Sequence, residues 1–467
     1  MTQTGDSPLM ELRGRMRGEV IGAGDPTYDD SRRAWNASID RRPLMVARCA
    51  DEADVQAVVR FAGEHALEIA VRCGAHSMSG ASVVDDGIIV DLSRMNRVTV
   101  DPQARRAKVG GGALLGDIDA ATQAYGLAVP TGLVSHTGVG GLTLGGGMGW
   151  LSRKFGLTID NMVSARVVTA DGELRLASAE ENPDLFWAVR GGAGNFGVVT
   201  EFEFTLHEAG PLVQFGFLFW DLDQGPAALR HAREIVDTLP DDVNVIVGGL
   251  NAPPAPFVPE EHHLQPGYAL IVVGFGSPEQ HAAVLDQARS AVPPVVDFAA
   301  PMPYVELQKM LDEANAWGFY GYDKGCYVEE LSDGVIDAVT ETFPKKQSPL
   351  SLVLFYRLDG AYSRAAEDGT AFSGGRSPRF ATFIIGVCPV AEMFPAERRW
   401  VRSMAEALRP YAARDGSYVN GSAEFDDLNP VHSAYGAEKF VKLAQLKATY
   451  DPGNLFHGSA NIAPSTD

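Results

Sequence analysis

The sequence predicts an α+β fold built from more than one packed unit. The chain has 467 residues, about three times the length of an average domain. In its first half, short apolar runs typical of strands alternate with segments that have one apolar helical face. After about residue 207 the glycine clusters stop and longer strand-like runs follow. This change indicates a second α+β unit on an antiparallel sheet.

The first 206 residues are predicted to form short strands and helices in alternation. Residues 44–70 predict a strand and then a helix that Asp51 or Asp54 caps. A second helix over 114–126 is expected to close at Gly126. A hairpin over 162–174 is expected to turn at Asp171-Gly172. The other predicted strands cover residues 67–72, 88–92, 97–101, 107–112 and 196–206.

The rest of the chain predicts two further segments, 207–410 and 411–467. The first contains a proline-rich loop at 251–263 and a helical stretch over 326–343. The second ends in a loop-rich tail after residue 450. Strands are predicted over 268–275, 350–358 and 380–387, and helices over 397–412 and 437–450.

Charge and composition exclude several classes of protein. Sixty acidic residues against 39 basic ones leave a formal charge of −21, whereas nucleic acids and anionic membranes need a basic face. The chain has no run of about 18 apolar residues that could span a membrane. Its N-terminus lacks the pattern of a signal peptide, so we expect a cytoplasmic protein. Four scattered cysteines and the isolated pair His262-His263 predict neither a disulfide framework nor a metal site.

Glycine is the unusual component of this sequence. The 50 glycines are about 11% of the chain, against ~7% in an average protein. Three clusters, at residues 72–80, 137–149 and 190–197, fall within about 120 residues. Main-chain N–H groups in glycine-rich turns form nests that bind anions, above all pyrophosphate. In an acidic chain, the clusters predict a large phosphorylated cofactor held by backbone amides.

The third cluster matches the dinucleotide fingerprint G-x-G-x-x-G at Gly192, Gly194 and Gly197. That motif requires a helix after it, and here a strand is predicted to follow. We therefore reject a Rossmann site, and the absence of a GK[ST] motif excludes a P-loop. His76, in the first cluster, is either a locally hydrogen-bonded loop residue or a nucleophile that links a cofactor. The residues alone leave both interpretations open.

Several of these segments resemble a known family. RCGAHSMSG (72–80) resembles the R-x-G-G-H-S-x-x-G segment of the vanillyl-alcohol oxidase/p-cresol methylhydroxylase (PCMH) flavoprotein superfamily. TGVGGLTLGGGMGW, DNMVSARVVTADGEL, NPDLFWAVRGGAGNFGVVTEFEF and YDPGNLF are similar to further blocks of the berberine bridge enzyme-like FAD-linked oxidases. WNASIDRRP (35–43) and residues 135–161 look most like bacterial secondary-metabolism members, such as the flavin-N5-oxide oxygenase of the enterocin pathway.

The resemblance implies a PCMH-type FAD-binding domain in two parts, residues 1–206 and 411–467, and a substrate-binding domain at 207–410. It also implies FAD bonded covalently to His76. Relatives with a second, cysteinyl link carry that cysteine where this chain has Val134, so a single link is expected. Ala75 replaces a family glycine, and the nest should survive if Ala75 has a negative φ. The other implied cofactor-binding residues are Arg72, Cys73, Gly74, Ser77, Gly80, Thr137, Gly138, Gly140, Gly141, Gly145, Gly146, Gly147, Gly149, Val199, Tyr418, Asn420 and Asn461.

The resemblance also implies catalytic candidates. Tyr418 begins a Tyr-x-Asn motif whose tyrosine acts as a base in several family members, although a buried core tyrosine would look the same. Tyr356 and Arg357, with Asp359 nearby, are further candidates on a strand of the middle segment. Val353 stands where close relatives place a carboxylate. The tyrosines at 320, 322 and 327 either line the pocket or pack in the core.

The function implied is an FAD oxidase that takes a hydride from a C–H centre of a secondary metabolite or sugar and reduces O₂ to H₂O₂. Its partners would be a small-molecule substrate and O₂, and the protein would be a monomer or homodimer. Two alternatives remain at this point. Thr137 matches a threonine near N5 in the N5-oxide enzyme, which makes a polyketide monooxygenase conceivable. The missing carboxylate at Val353 leaves a catalytically silent flavin-binding protein as the other alternative.

Overall fold

The computed structural model describes residues 6–414, 416–424, 431–458 and 460–466. Within these ranges the strands form sheets of four, five and seven strands and one two-stranded ribbon, with helices packed around them. This architecture confirms the predicted α+β class. The helices are α1 Asp6–Arg15, α2 Tyr28–Ser31, α3 Glu52–His65, α4 Leu115–Gln123, α5 Val139–Leu144, α6 Ser152–Phe155, α7 Pro183–Val189, α8 Gly225–Val236, α9 Pro278–Arg289, α10 Tyr304–Lys309, α11 Asp333–Thr342, α12 Ala361–Arg364, α13 Phe394–Leu408, α14 Val431–Tyr435 and α15 Ala437–Tyr450.

The four-stranded sheet positions the first glycine cluster. Three of its strands are parallel and the first is antiparallel, in the order β1-β2-β4-β3. Strand β3 ends at Arg72, so the cluster begins where the strand stops. The Asp51 side chain accepts the Asp54 N–H and caps helix α3, as predicted. The strands are β1 Glu19–Gly22, β2 Met45–Arg48, β3 Ile69–Arg72 and β4 Ile88–Asp91.

The five-stranded sheet is antiparallel and has the order β5-β6-β10-β8-β9. The predicted hairpin is confirmed, because Val168 pairs with Leu174 across the turn. The G-x-G-x-x-G segment is followed by strand β10, as expected, which confirms the rejection of a Rossmann site. The strands are β5 Val98–Asp101, β6 Arg106–Gly110, β8 Met162–Val168, β9 Leu174–Ser178 and β10 Val198–Thr205; β7 Leu127–Ala128 and β11 His207–Glu208 form the ribbon.

The seven-stranded sheet is antiparallel throughout and has the order β15-β12-β14-β13-β17-β18-β16. Alternate residues along each strand face opposite sides. One face, with Val353 and Phe355, packs against helices α8, α11 and α13. The other face, with Phe217 and Leu354, packs against residues that include Trp150. The strands are β12 Leu212–Asp221, β13 Val243–Asn251, β14 Pro266–Gly274, β15 Val296–Pro303, β16 Tyr320–Val328, β17 Leu352–Leu358 and β18 Arg379–Cys388.

Two local predictions were wrong. Residues 326–328 belong to strand β16, and the helix predicted over 326–343 begins only at Asp333, where the Ser332 side chain accepts the Val335 N–H. Helix α4 ends at Gln123, and Gly126, with φ of 66°, turns the chain after it. No helix among the described residues is long and apolar enough to cross a membrane.

Candidate active site

The first glycine cluster forms a loop directly after strand β3. A negative φ was the expectation for Ala75, but its φ is 52°. The left-handed conformation is nonetheless compatible with an anion-binding nest, which alternates right- and left-handed residues. The main-chain N–H groups of residues 75–78 donate no hydrogen bond within the described part of the chain. Four successive donors around His76 are therefore available to a ligand.

The first and second glycine clusters meet backbone to backbone. A Cβ on Gly74 would lie 2.3 Å from the Gly138 nitrogen, and a Cβ on Gly138 would lie 2.5 Å from Cys73 Sγ. Such distances are below any real Cβ contact, so both positions require glycine. Gly138 caps helix α5, whose next residues include Gly140 and Gly141. The free N–H groups near His76 are thus adjacent to the N-terminus of this helix.

The His76 imidazole is held in an aromatic cluster. It stacks on Trp35 with ring centroids 5.0 Å apart. Its Nε2 lies 2.6 Å from Nδ1 of His136, so the N–H of one ring donates a hydrogen bond to the nitrogen of the other. Burial, reinforced by His136, lowers the pKa of His76 to about 3. The ring is therefore neutral at physiological pH, which is the form that can act as a nucleophile.

The second glycine cluster also contacts the loop of residues 416–424, called the Tyr418 loop below. Gly147 N–H donates to the Tyr418 hydroxyl at 3.2 Å, and the Asn420 amide donates to the same oxygen at 3.3 Å. Burial raises the pKa of Tyr418, and these two donors act in the opposite direction. A Cβ on Gly145 would overlap Asn420, and one on Gly146 would lie 2.6 Å from the Phe372 ring. The glycines therefore allow this loop to approach closely.

Tyr356 belongs to the same aromatic group as Tyr418. The Phe383 ring contacts both tyrosines edge-on, with centroid distances of 5.1 Å to Tyr356 and 5.9 Å to Tyr418. Burial and the neighbouring Tyr418 raise the pKa of Tyr356. Strand β17 and the Tyr418 loop are therefore in contact through one aromatic cluster.

Arg357 and Asp359 are engaged in an ion-pair chain instead. Arg357 Nε donates to Asp359 Oδ2 at 2.7 Å, and the other oxygen of Asp359 accepts from the buried Arg153. The Arg357 guanidinium also lies over the Phe380 ring, 5.0 Å from its centroid. These contacts link helix α6 to strand β17 and engage the Arg357 guanidinium away from Tyr418.

Four more predicted residues lie within the first two glycine clusters and make local contacts there. Arg72 donates to the Arg33 carbonyl, and Gly80, with φ of 75°, allows contact with Ile39. Ser77 Oγ lies 2.9 Å from Ser79 Oγ. The Thr137 carbonyl accepts Leu115 N–H at 2.9 Å.

Three predicted positions remain: Gly149 and Val199 make close main-chain contacts, and Asn461 has a buried polar atom without a partner among the described residues. Gly149 allows a close approach to the Thr131 carbonyl, and the Val199 carbonyl packs against Gly111. The buried Oδ1 of Asn461 has no hydrogen-bond partner within the described residues.

The third glycine cluster anchors the C-terminal tail. The Asn195 amide donates to the Ala460 carbonyl at 3.0 Å, and its Oδ1 accepts Ile462 N–H at 2.9 Å. The buried Lys447 ammonium donates to the Asn195 carbonyl and pairs with Asp451. The side chain of Asn195 therefore holds the tail on both sides of Asn461.

Sequence reasoning missed two residues near His76. His136 is its hydrogen-bond partner, and the only signal was its place next to the second cluster. Asn36 is fully buried; its amide donates to the Met78 and Gly321 carbonyls, both at 2.9 Å, and its Oδ1 accepts Gly321 N–H. Asn36 thereby ties the His76 loop to strand β16.

The cysteines form no disulfide among the described residues. The four cysteines are free thiols, and Cys73 Sγ donates to the Ala113 carbonyl. Burial raises the pKa of Cys73 to about 11. Within the described ranges, no group of three or more potential metal ligands occurs, His262 and His263 included.

Two family models match this chain. The FAD binding domain model matches residues 43–178, and the berberine and berberine-like model matches residues 417–463. These segments contain the His76 loop, the second glycine cluster and the Tyr418 loop. The two matches therefore cover both sides of the candidate site.

Curated relatives and solved structures agree with these matches. An FAD-linked oxidoreductase of Dictyostelium discoideum is 30% identical over 452 residues, 96% of this chain and 95% of the relative. (R)-6-hydroxynicotine oxidase of Paenarthrobacter nicotinovorans is 29% identical over 96% of this chain and 97% of its own length. The structure of 6-hydroxy-D-nicotine oxidase from Arthrobacter nicotinovorans superimposes with a TM-score of 0.84 at 28% identity, covering 96% of this chain and 98% of that chain.

Carbohydrate oxidases share the fold. Xylooligosaccharide oxidase from Myceliophthora thermophila gives a TM-score of 0.84 at 22% identity over 99% of this chain and all of that chain. The family models, the Dictyostelium relative and the shared fold agree with one another. The chain is therefore an enzyme that belongs to the berberine bridge enzyme-like FAD-linked oxidoreductases of the PCMH flavoprotein superfamily.

Proposed function

We propose that this enzyme is an oxidase that carries FAD on a single covalent link to His76. The observation that carries the proposal is the run of N–H groups at residues 75–78, which donate no hydrogen bond within the described residues and flank the neutral His76 in the chain. A nest binds phosphate without lysine or arginine, so it suits a chain with a formal charge of −21. Val134, at the position of the second link in some relatives, offers no thiol.

The residues around this nest fit the rest of FAD. The glycines at 74, 138, 140 and 141 keep side chains away from the space beside the nest, so a planar ring system and its pyrophosphate can approach backbone closely. The buried Oδ1 of Asn461, which has no partner among the described residues, can accept a hydrogen bond from an N–H of the ring system. We assign FAD binding to residues 1–206 and 411–467, and substrate binding to residues 207–410.

When bound, FAD would accept a hydride from a substrate C–H centre and pass two electrons to O₂ to give H₂O₂. In this proposal Tyr418 acts as its phenolate, which takes the proton of the substrate O–H or N–H group and becomes the neutral hydroxyl. Its phenolate would be stabilised by Gly147 N–H and the Asn420 amide, which both point at the phenolic oxygen. Tyr356 and Phe383 would form the wall next to it.

Acid precipitation tests the covalent link. The wild-type pellet in trichloroacetic acid should stay yellow, whereas the His76→Ala pellet should be colourless because its flavin is released. His262→Ala, in a remote loop, is the matched control and should stay yellow. A colourless wild-type pellet would overturn the covalent proposal.

Oxidase chemistry needs a second test. Oxygen uptake should be screened with amines, alcohols, sugars and aromatic polyketides, and the active substrate should yield one H₂O₂ per O₂ consumed. The resting protein should show the spectrum of ordinary oxidised flavin. Incorporation of oxygen from O₂ into the product, with no H₂O₂, would instead establish a monooxygenase.

A further inference from the structure

We propose that Asp323 binds a positively charged amine of the substrate, so that the enzyme selects apolar or aromatic amines. The inference rests on the proposed function, because it concerns the substrate side of the same site. It assigns a substrate-binding role to a carboxyl group that sequence reasoning did not single out.

Asp323 lies on the sheet face that looks away from helices α8, α11 and α13. Residues directly opposite each other on paired strands share a face. Asp323 pairs with Ile385, and Ile385 pairs with Leu352, which packs with the apolar cluster of the inner face. Its neighbour Lys324 projects to the other side, where its ammonium donates to the Glu424 carbonyl.

Strand β16 runs from the His76 loop to the Tyr418 loop, and Asp323 stands between the two. On one side, a Cβ on Gly321 would lie 2.7 Å from Met78 Sδ and 3.3 Å from the Trp35 ring. On the other side, a Cβ on Gly325 would lie 2.7 Å from the Gly421 carbonyl. Two glycines therefore flank Asp323 on the same face. Between Gly321 and Gly325, strand β16 therefore presents only the Asp323 side chain on this face, next to Ile385 of β18.

The Asp323 carboxyl group is buried and only partly hydrogen-bonded within the described residues. The residue is 4% exposed, and its Oδ1 has no hydrogen-bond partner within the described chain. It also forms no ion pair there. Burial raises its pKa to about 7, and the Ala423 main-chain N–H and the nearby Lys324 act in the opposite direction. An unpaired buried carboxylate is costly, so a cationic ligand that pairs with it gains binding energy.

The surroundings of Asp323 favour an amine over a sugar. The neighbouring positions on the inner face are Ile385, Leu352, Phe383 and Leu354, which offer no hydrogen bonds. Several hydroxyl groups of a carbohydrate would lose their water there without replacement. An ammonium group on an apolar body needs one carboxylate, and the Phe383 and Tyr356 rings supply the apolar and cation–π contacts.

Asp119 provides a matched control. It is also buried, its Oδ1 also lacks a partner, and burial raises its pKa to about 7. Its other oxygen accepts from Gln308 at 3.1 Å, between helices α4 and α10. Asp119 therefore tests whether an effect is specific to position 323 or common to any buried acid.

The experiment is calorimetric titration of the anaerobic, flavin-loaded protein with benzylamine and four ring-substituted benzylamines, each paired with its benzyl alcohol. Wild type should bind at least one amine more tightly than its alcohol. Asp323→Asn keeps the shape of the side chain but not its charge. It should weaken the binding of that amine by at least ~30-fold and leave the affinity for the alcohol unchanged. Asp119→Asn should change neither.

Two results would overturn the inference. One is that no amine of the panel binds wild type more tightly than its alcohol. The other is that Asp323→Asn leaves amine affinity unchanged or weakens amine and alcohol equally. A protein that retains no flavin would instead refute the proposed function. The flavin content and the binding data therefore separate the two failures.

Discussion

Replacing Tyr418 with phenylalanine removes the proposed proton acceptor and keeps the ring. The hydroxyl accepts Gly147 N–H at 3.2 Å, so the change leaves a buried N–H without a partner, at a cost of about 1–3 kcal/mol in stability. A general base contributes ~10²–10⁴-fold to the rate, so the reduction of the flavin by substrate should slow by that factor. The covalent flavin itself should remain, because Tyr418 is not its attachment point.

The assay is anaerobic stopped-flow loss of oxidised flavin absorbance, with a substrate identified by oxygen uptake, together with a thermal melt. Tyr435→Phe is the matched control. Its hydroxyl donates to the Gly191 carbonyl at 3.1 Å, so it loses one buried hydrogen bond and no proposed chemistry. Both variants should have a lower Tm than wild type, and only Tyr418→Phe should slow the reduction of the flavin by substrate. Equal reduction rates in the two variants would refute the role of Tyr418.

Two further predictions concern the environment of His76 and the ionisation of Asp119. His136→Ala removes the hydrogen-bond partner of the His76 ring, so a smaller fraction of the flavin should remain in the acid pellet, while native protein still binds FAD; an unchanged covalent fraction would show that His136 is dispensable. Burial raises the pKa of Asp119 to about 7 from 3.8, so the unfolded chain loses this proton first and the contribution to stability falls as pH rises between these values. The Tm of Asp119→Asn minus the Tm of wild type should therefore be larger at about pH 8 than at about pH 4. An equal Tm difference at the two pH values would contradict this.

The elements predicted best from the sequence were those with local signals. The Asp51 cap, the Asp171-Gly172 turn and the strand after Gly197 each depend on neighbouring residues, and the structure confirms all three. Residues 326–328 were misread because a strand and a helix adjoin there, and only the Ser332 cap marks the boundary.

The parts of the site that depend on distant residues could not be predicted. His136 reaches His76 across 60 positions of sequence, and Asn36 reaches Gly321 across 285. Asp323 looked like one polar residue in an aromatic run, because its unpaired state follows from sheet register and burial. The left-handed φ of Ala75 also came from tertiary context, since alanine disfavours it.

Mass spectrometry of the flavin-bearing peptide tests the central claim most directly. Cleavage after Arg72 and Arg94 gives one peptide that contains both His76 and Cys73, the two nucleophiles of the first loop. The account predicts that this peptide carries the flavin mass and that fragment ions place it on His76. A flavin on Cys73, on another peptide, or on no peptide at all would contradict the account.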